Sequence, residues 1–269
     1  MRHWFVIGLI ALITFCALSV GVAGAATAQP EESEAARECD RLAASPFDPT
    51  RPTGMAGVAS DKIDVPRAIE ACRKAVAERP SDMRLKYQLG RAFEAGSQWD
   101  DALPVYRAAA DAGNALAMNN LAKIYEQGLG VAKDEAEAIR LLRKAADAGQ
   151  PLAMMNLAGK YATGHGVLKD DAEAVRLLRK AVSAGVVEAM VRLGVEYEMG
   201  RGVAKNEAEA VRLYRAAAEA GNVRAAEFLG RMYANGRGVN RDIGEARKWY
   251  ATAAAHGDQE ALRALISLH

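Results

Sequence analysis

Few residues in this chain have the type and spacing to do chemistry. Gly128-Leu-Gly130, Gly164-His-Gly166, Gly200-Arg-Gly202 and Gly236-Arg-Gly238 suggest phosphate-cradling loops. A nucleotide fingerprint, however, needs a strand before the glycines and a helix directly after them. Helical patterns flank these glycines on both sides, so they read as turns that only glycine adopts cheaply. The four histidines, His3, His165, His256 and His269, have no Cys, Asp or Glu at ligand or catalytic spacing. His165 reads as a lone loop residue. No G-x-S-x-G, H-E-x-x-H or S-x-x-K stands out. Neither a catalytic residue, a cofactor nor a metal is expected.

Three cysteines are present, Cys16, Cys39 and Cys72. Cys16 lies in an apolar run from Trp4 to about Ala28 that follows Arg2 and His3 and closes with Ala23-Gly-Ala25 and Ala26-Thr-Ala28. That order is the pattern of a secretory signal peptide over 1–28, with cleavage expected after Ala28 and Ala25 as second choice. An uncleaved membrane anchor is the competing reading, because the run is long enough to span a bilayer. Ile13-Thr-Phe15 is too bulky before Cys16 for a usual lipobox. Export leaves Cys39 and Cys72 as a pair in an oxidising compartment, where a disulfide is the expected state. It would add roughly 3–4 kcal/mol, mainly through the unfolded chain. A reactive thiol or a metal site are the alternatives.

The elements that position these residues are helices. About half of the residues are hydrophobic and only 6% aromatic, which suits closely packed helices of small side chains. The formal charge of +1 implies no broad basic face for nucleic acid. Residues 29–36 read as a flexible acidic leader. Residues 37–80 read as a helical hairpin joined by a loop too rich in Pro and Gly for regular structure, with Asp64 capping its second helix. Residues 81–112 form a further hairpin, with Leu89-Gly90 on one helix and Ala102 and Tyr106 on the other.

From residue 113 a unit of 36 residues repeats. Tyr125, Tyr161, Tyr197 and Tyr233 mark it, each followed by the glycine turn. The first helix of each unit has an apolar face at i, i+4 and i+8, as in Ala117, Leu121 and Tyr125. A small residue follows each leucine (Ala122, Ala158, Gly194, Gly230) and lets the second helix approach. Asp134, Asp170, Asn206 and Asp242 precede Glu137, Glu173, Glu209 and Glu245 by three, as in a capping box. Gly113, Gly149, Gly185, Gly221 and Gly257 stop the second helices. Arg140, Arg143, Lys144, Arg176, Arg179, Lys180, Arg212 and Arg215 form a basic row there, read as a solvated ion-pair face. Residues 257–269 supply a final capping helix.

This pattern over 113–256 resembles the Sel-one-like repeat of the tetratricopeptide-like superfamily, in its exported bacterial type. Residues 81–112 fit more loosely, as a tetratricopeptide-like unit with an inter-helix loop four residues shorter. The resemblance implies an all-α, right-handed α-solenoid of antiparallel helix pairs. It also implies a scaffold that holds a protein or peptide partner along its concave side, without chemistry of its own. By register that side carries Arg84, Tyr87, Arg91, Asn119, Asn120, Lys123, Met155, Asn156, Lys160, Val191, Val195, Glu227 and Arg231. Arg84, Arg91, Asn119 and Lys123 are expected to form a donor-rich end for a carboxylate or acidic segment. The expected location is the periplasm or the cell exterior, with no nucleic-acid partner and no membrane insertion after cleavage. Two rival readings are a β-lactamase-like or penicillin-binding enzyme of the cysteine-rich repeat type and a membrane-anchored assembly factor for envelope complexes. The former has a cysteine pair in every repeat, and these four repeats have none.

Overall fold

The structure, a computed structural model, describes residues 32–268. The apolar N-terminal run and its cleavage sites lie outside the described residues. Among those described are thirteen α-helices, one 3-10 turn and no strand. The fold is an all-α helical-repeat solenoid.

The first three helices are α1 (Glu34–Ala43), α2 (Val65–Glu78) and α3 (Met83–Ala95). Helix α1 starts inside the stretch expected to be a leader. The Ser33 hydroxyl accepts from the Ala36 amide at 3.2 Å, and Ala35 and Ala36 are buried. The acidic run hid a cap followed by a packed alanine pair. Asp64 stands at the N-cap of α2, but its side chain accepts no capping bond. A disulfide joins Cys39 on α1 to Cys72 on α2, and both residues are fully buried.

The loop between α1 and α2 is ordered by long donors. Arg91 on α3 donates to the Ala43 and Val58 carbonyls at 2.6 and 2.7 Å. Arg51 donates to the Ser45 and Met55 carbonyls at 2.7 and 2.6 Å. The Val58 amide closes the loop on the Ala44 carbonyl at 2.7 Å.

Helix α3 pairs with α4 (Trp99–Asp111), and four further hairpins follow. Their first helices are α5 (Ala115–Gln127), α7 (Pro151–Thr163), α9 (Val187–Met199) and α11 (Val223–Asn235). Their second helices are α6 (Glu135–Asp147), α8 (Asp171–Ser183), α10 (Glu207–Glu219) and α12 (Ile243–Ala255). Helix α13 (Gln259–Ser267) closes the array against α12. Each helix packs on the next in sequence, and α5 also touches α7. Helices of thirteen residues are marginal alone, so this stacking supplies most of their stability.

The glycine turns are built alike. Gly128 ends α5 in the left-handed region at φ 70°. The chain then folds back so that the Asp134 amide donates to the Tyr125 carbonyl at 2.9 Å. The bond recurs from Asp170 to Tyr161, Asn206 to Tyr197 and Asp242 to Tyr233. The caps form as expected on one side only. The Asp134 carboxylate accepts from the Glu137 amide at 2.9 Å, but the Glu137 carboxylate takes Arg140 at 2.6 Å. Glu173–Arg176, Glu209–Arg212 and Glu245–Lys248 repeat this arrangement. Each box is therefore half made, because a cation three residues on competes for the glutamate.

Candidate functional site: a groove along the first helices of the repeats

Three consecutive first helices put polar side chains side by side. Asn120, Asn156 and Arg192 occupy one register position on α5, α7 and α9, 36 residues apart. Asn119, one residue earlier, accepts from Asn156 at 2.9 Å and donates to Asn120 at 3.4 Å. Asn120 donates to the Tyr106 hydroxyl at 3.0 Å and to Glu94 at 3.1 Å. Lys123 reaches the other Glu94 oxygen at 2.9 Å, and Lys160 pairs with Glu126. The result is a ladder of side chains crossing three hairpins.

A recess of about 480 Å³ opens over this ladder, lined among others by Asn119, Lys123, Asn156, Lys160 and Arg192. Three cations, Lys123, Lys160 and Arg192, and one carboxylate, Glu126, line it, and each cation has a carboxylate partner in Glu94, Glu126 or Glu188. A second recess of about 250 Å³ shares Gly159, Thr163 and Arg192 with the first. Ala158, Ala162, Val191 and Val195 give it an apolar wall, with Arg192, Arg201 and Arg224 around it. Together they form one groove, polar over α5 and α7 and more apolar over α9. His165 lies at the polar end and pairs with Glu135 at 2.9 Å, so it is not a lone loop residue. Lys133 first, and His165 after it, hold the Glu135 carboxyl below its ordinary range.

The residues expected along the concave side divide into four groups. Asn119, Asn120, Lys123, Asn156 and Lys160 come together in the ladder. Val191 and Val195 line the apolar recess, although Val191 is almost wholly buried. Glu227 and Arg231 lie further on, along α11. Burial raises the Glu227 carboxyl above its ordinary value. Arg231 stacks on Phe228 at 4.7 Å and reaches Glu198 at 3.4 Å.

Four expected groove residues have other work. Arg91 is 4% exposed, with its guanidinium spent on loop carbonyls. Arg84 pairs with Asp40, which is fully buried and also accepts from Gln88 at 2.5 Å. Tyr87 is buried, and desolvation pushes its hydroxyl up to about 12. Met155 is buried in the core. The first three are corrected for one reason: α1 and its loop pack on the α3 face that the later repeats leave open. The donor-rich end therefore begins one hairpin later, at α5. Arg192 and Glu126 were missed. Arg192 was within reach of the sequence, since it continues the Asn120, Asn156 register.

The basic row also divides. Arg140, Arg176 and Arg212 pair with glutamates on their own helices, as expected. Arg143, Arg179 and Arg215 instead reach the tyrosine hydroxyl of the following hairpin, at Tyr161, Tyr197 and Tyr233. Arg107 does the same at Tyr125. Three of these guanidinium groups lie 5.7–5.8 Å from the ring centre. Among the described residues, no three His, Cys, Asp or Glu side chains converge as metal ligands would.

A family model described as Sel1 repeat matches residues 115–150, 151–186, 187–222 and 223–258. A solved Sel1 repeat protein from Oxalobacter formigenes is 34% identical, with a TM-score of 0.66 over 72% of this chain and 83% of that one. A protective antigen of uropathogenic Escherichia coli with an SLR fold is 29% identical, with a TM-score of 0.67 over 76% of this chain. The match spans 44% of the antigen's own length. A putative Sel1 repeat protein from Klebsiella pneumoniae shares the fold at 21% identity, with a TM-score of 0.50 over 71% of this chain and 95% of that one. No curated protein matches the chain.

Proposed function

The chain belongs to the Sel1-repeat family, and from that premise we propose that it is a non-enzymatic scaffold holding an acidic segment of a protein partner in the groove over α5, α7 and α9. Proteins built of these repeats are typically protein-interaction scaffolds. The observation that carries the finer reading is the convergence of Lys123, Lys160 and Arg192, from three successive hairpins, on one recess with two asparagines. Partner carboxylates would displace Glu94 from Lys123 and add to Arg192, which among the described residues pairs with Glu188 at 3.4 Å. The neighbouring apolar recess takes the flanking side chains. Since the cations are partly neutralised beforehand, each contact adds little and affinity comes from several repeats together.

We propose the periplasm or the cell exterior as its site of action. A buried disulfide between Cys39 and Cys72 favours an oxidising compartment, as does the signal-like order of residues 1–28. Among the described residues, no helix is long and apolar enough to cross a membrane.

Partner capture from an envelope extract tests the reading, comparing the parent with a Lys123→Glu, Arg192→Glu double variant. Both side chains are about half exposed, so the variant should keep its fold and melt only a little lower than the parent, since Glu94 and Glu188 each lose a partner. Recovery should fall at least tenfold and should weaken with salt in the parent. Equal recovery from the two proteins refutes the groove.

A further inference from the structure

Glycines inside the first helices have a packing reason, with one exception. A β-carbon at Gly90, Gly194 or Gly230 would lie 2.5–2.8 Å from a tyrosine ring. A β-carbon at Gly159, within α7, would meet only Arg192 Nη1 inside 4 Å, at 3.3 Å. That atom ends a flexible side chain that is 41% exposed, so it can move aside. Gly159 is in helical backbone and outside the left-handed region, so no turn needs it either. Glycine inside a helix is less stable than alanine. The fold therefore gives up helix stability at Gly159 and gains no packing in return. Its place is telling. Lys123, Gly159, Val195 and Arg231 hold one register on α5, α7, α9 and α11, in steps of 36 residues, and Gly159 is the one bare position of the four. It is also common to both recesses of the groove, so a side chain there would intrude where the polar recess meets the apolar one.

We infer that the guest is extended and that its main chain crosses α7 on the bare backbone at Gly159, so that one segment fills both recesses. The inference rests on the groove reading above and adds the guest's form and the order of its side chains. Glycine is the residue that lets another backbone come close. A guest helix, about 10 Å across with its side chains, would gain little from one missing β-carbon, whereas an extended main chain gains a direct path. On the polar side an acidic side chain meets Lys123 and Lys160. Beyond the crossing an apolar side chain packs against Ala162 and Val195 in the second recess. Packed helices lie about 8–10 Å apart and an extended chain rises about 3.3 Å per residue, so about three residues separate the two side chains. Gly159 is thus a positioning residue: it touches no charge of the guest and sets where the chain lies.

The probe is a capped peptide, acetyl-Glu-Glu-Ala-Ala-Leu-amide, titrated into the isotope-labelled protein while the amide signals of Lys123, Gly159 and Val195 are followed. Saturable shifts at all three, with millimolar affinity, are expected. In the complex the Gly159 α-protons should show nuclear Overhauser contacts to the peptide. Gly159→Ala should raise the melting temperature by about 2–4 °C and yet weaken binding. Gly159→Leu should weaken it about tenfold or more. The Lys123→Glu, Arg192→Glu double variant tests the groove itself. If it loses the peptide while Gly159→Leu binds as the parent does, the crossing is wrong and the groove stands. No saturable binding by the parent overturns both. A Gly159→Ala protein that melts no higher than the parent overturns the crossing, because the glycine then serves the packing. So do α-proton contacts to Arg192 alone in the complex, which would make Gly159 a seat for that side chain.

Discussion

The hairpins over 115–186 and those over 187–258 have the same period but solve their tightest helix crossing differently. In the first pair the crossing positions are Ala122 and Ala158, in register with Leu142 and Leu178. In the second pair they are Gly194 and Gly230, each under the ring of a tyrosine. A β-carbon added at Gly194 would lie 2.5 Å from the Tyr214 ring, and one at Gly230 would lie 2.8 Å from Tyr250. Gly90 and Tyr106 make the same pair in the hairpin before the repeats, at 2.5 Å. Size is thus conserved across the crossing: the smaller residue accompanies the larger partner. The exchange also changes polarity. Tyr106 and Tyr214 bring a hydroxyl inside, and each donates to a glutamate one turn after the glycine, Glu94 at 2.7 Å and Glu198 at 2.9 Å. Burial raises both phenols well above their ordinary range. Glu198, 2% exposed at its side chain, also takes Arg237 at 2.9 Å. The alanine–leucine hairpins need no such acceptor, and there the polar ladder faces the recess instead.

The comparison breaks most sharply at Gly194. Gly194→Ala should cost about 1–3 kcal/mol by overpacking against Tyr214, despite the better helix propensity of alanine. Adding Tyr214→Leu should restore much of that loss, and thermal or denaturant melts of the single and double variants measure the coupling. The opposite change in the other pair, Ala158→Gly, should cost only about 1 kcal/mol, chiefly through helix propensity. Additive effects at Gly194 and Tyr214 would show that the crossing is not what couples them.

A smaller effect is expected at the latches, which are common to both pairs. Arg179→Ala removes the cation over Tyr197 and should cost about 0.5–1 kcal/mol. Arg143→Ala should cost less, since Arg143 only reaches the Tyr161 hydroxyl, and at 3.3 Å against 2.9 Å. Denaturant melts rank the two.

The smallest effect separates two carboxyls of neighbouring hairpins by the sign of their pH dependence. Bonds from Arg237 and Lys205 hold Glu207 below its ordinary 4.5. Its contribution is therefore present above its unfolded pKa and is lost as pH falls through the lowered value. Burial holds Glu227 above 4.5, so its ionisation opposes folding and stability falls as pH rises through that raised value. Glu207→Gln should accordingly flatten the acid side of a stability profile below about pH 5, and Glu227→Gln should raise stability at neutral pH. Profiles of opposite curvature would reverse the assignment.

Much of the fold was legible in advance. The i, i+4, i+8 stripes, the capping residues and the glycine stops all act within a few residues, and the helices of the four repeats end where those signals stand. The half-made capping boxes show the limit of local reading, because Glu137 had two local partners and the sequence does not rank them. The candidate site was legible in part. Asn119, Asn120, Lys123, Asn156 and Lys160 were placed by register alone and do converge. Arg84, Tyr87 and Arg91 followed the same register and were lost to the fold. Nothing in their own helix announces that α1 and a loop more than thirty residues earlier will occupy their face.

The sequence by itself determined the repeat length, the helices of the repeats and their ends, and the pairing of a small residue with a large one at each crossing. Those features depend on backbone angles, on a period of 3.6 residues and on side-chain volume, all of which are properties of short stretches. Only the tertiary structure decided which polar side chains remain available to a partner. Arg91 and Lys123 are equivalent by register, yet one is tied to carbonyls 33 and 48 residues away and the other stands half exposed beside a recess. Availability depends on what stacks against a face, and stacking is settled between hairpins, by burial of apolar surface that no single hairpin completes alone.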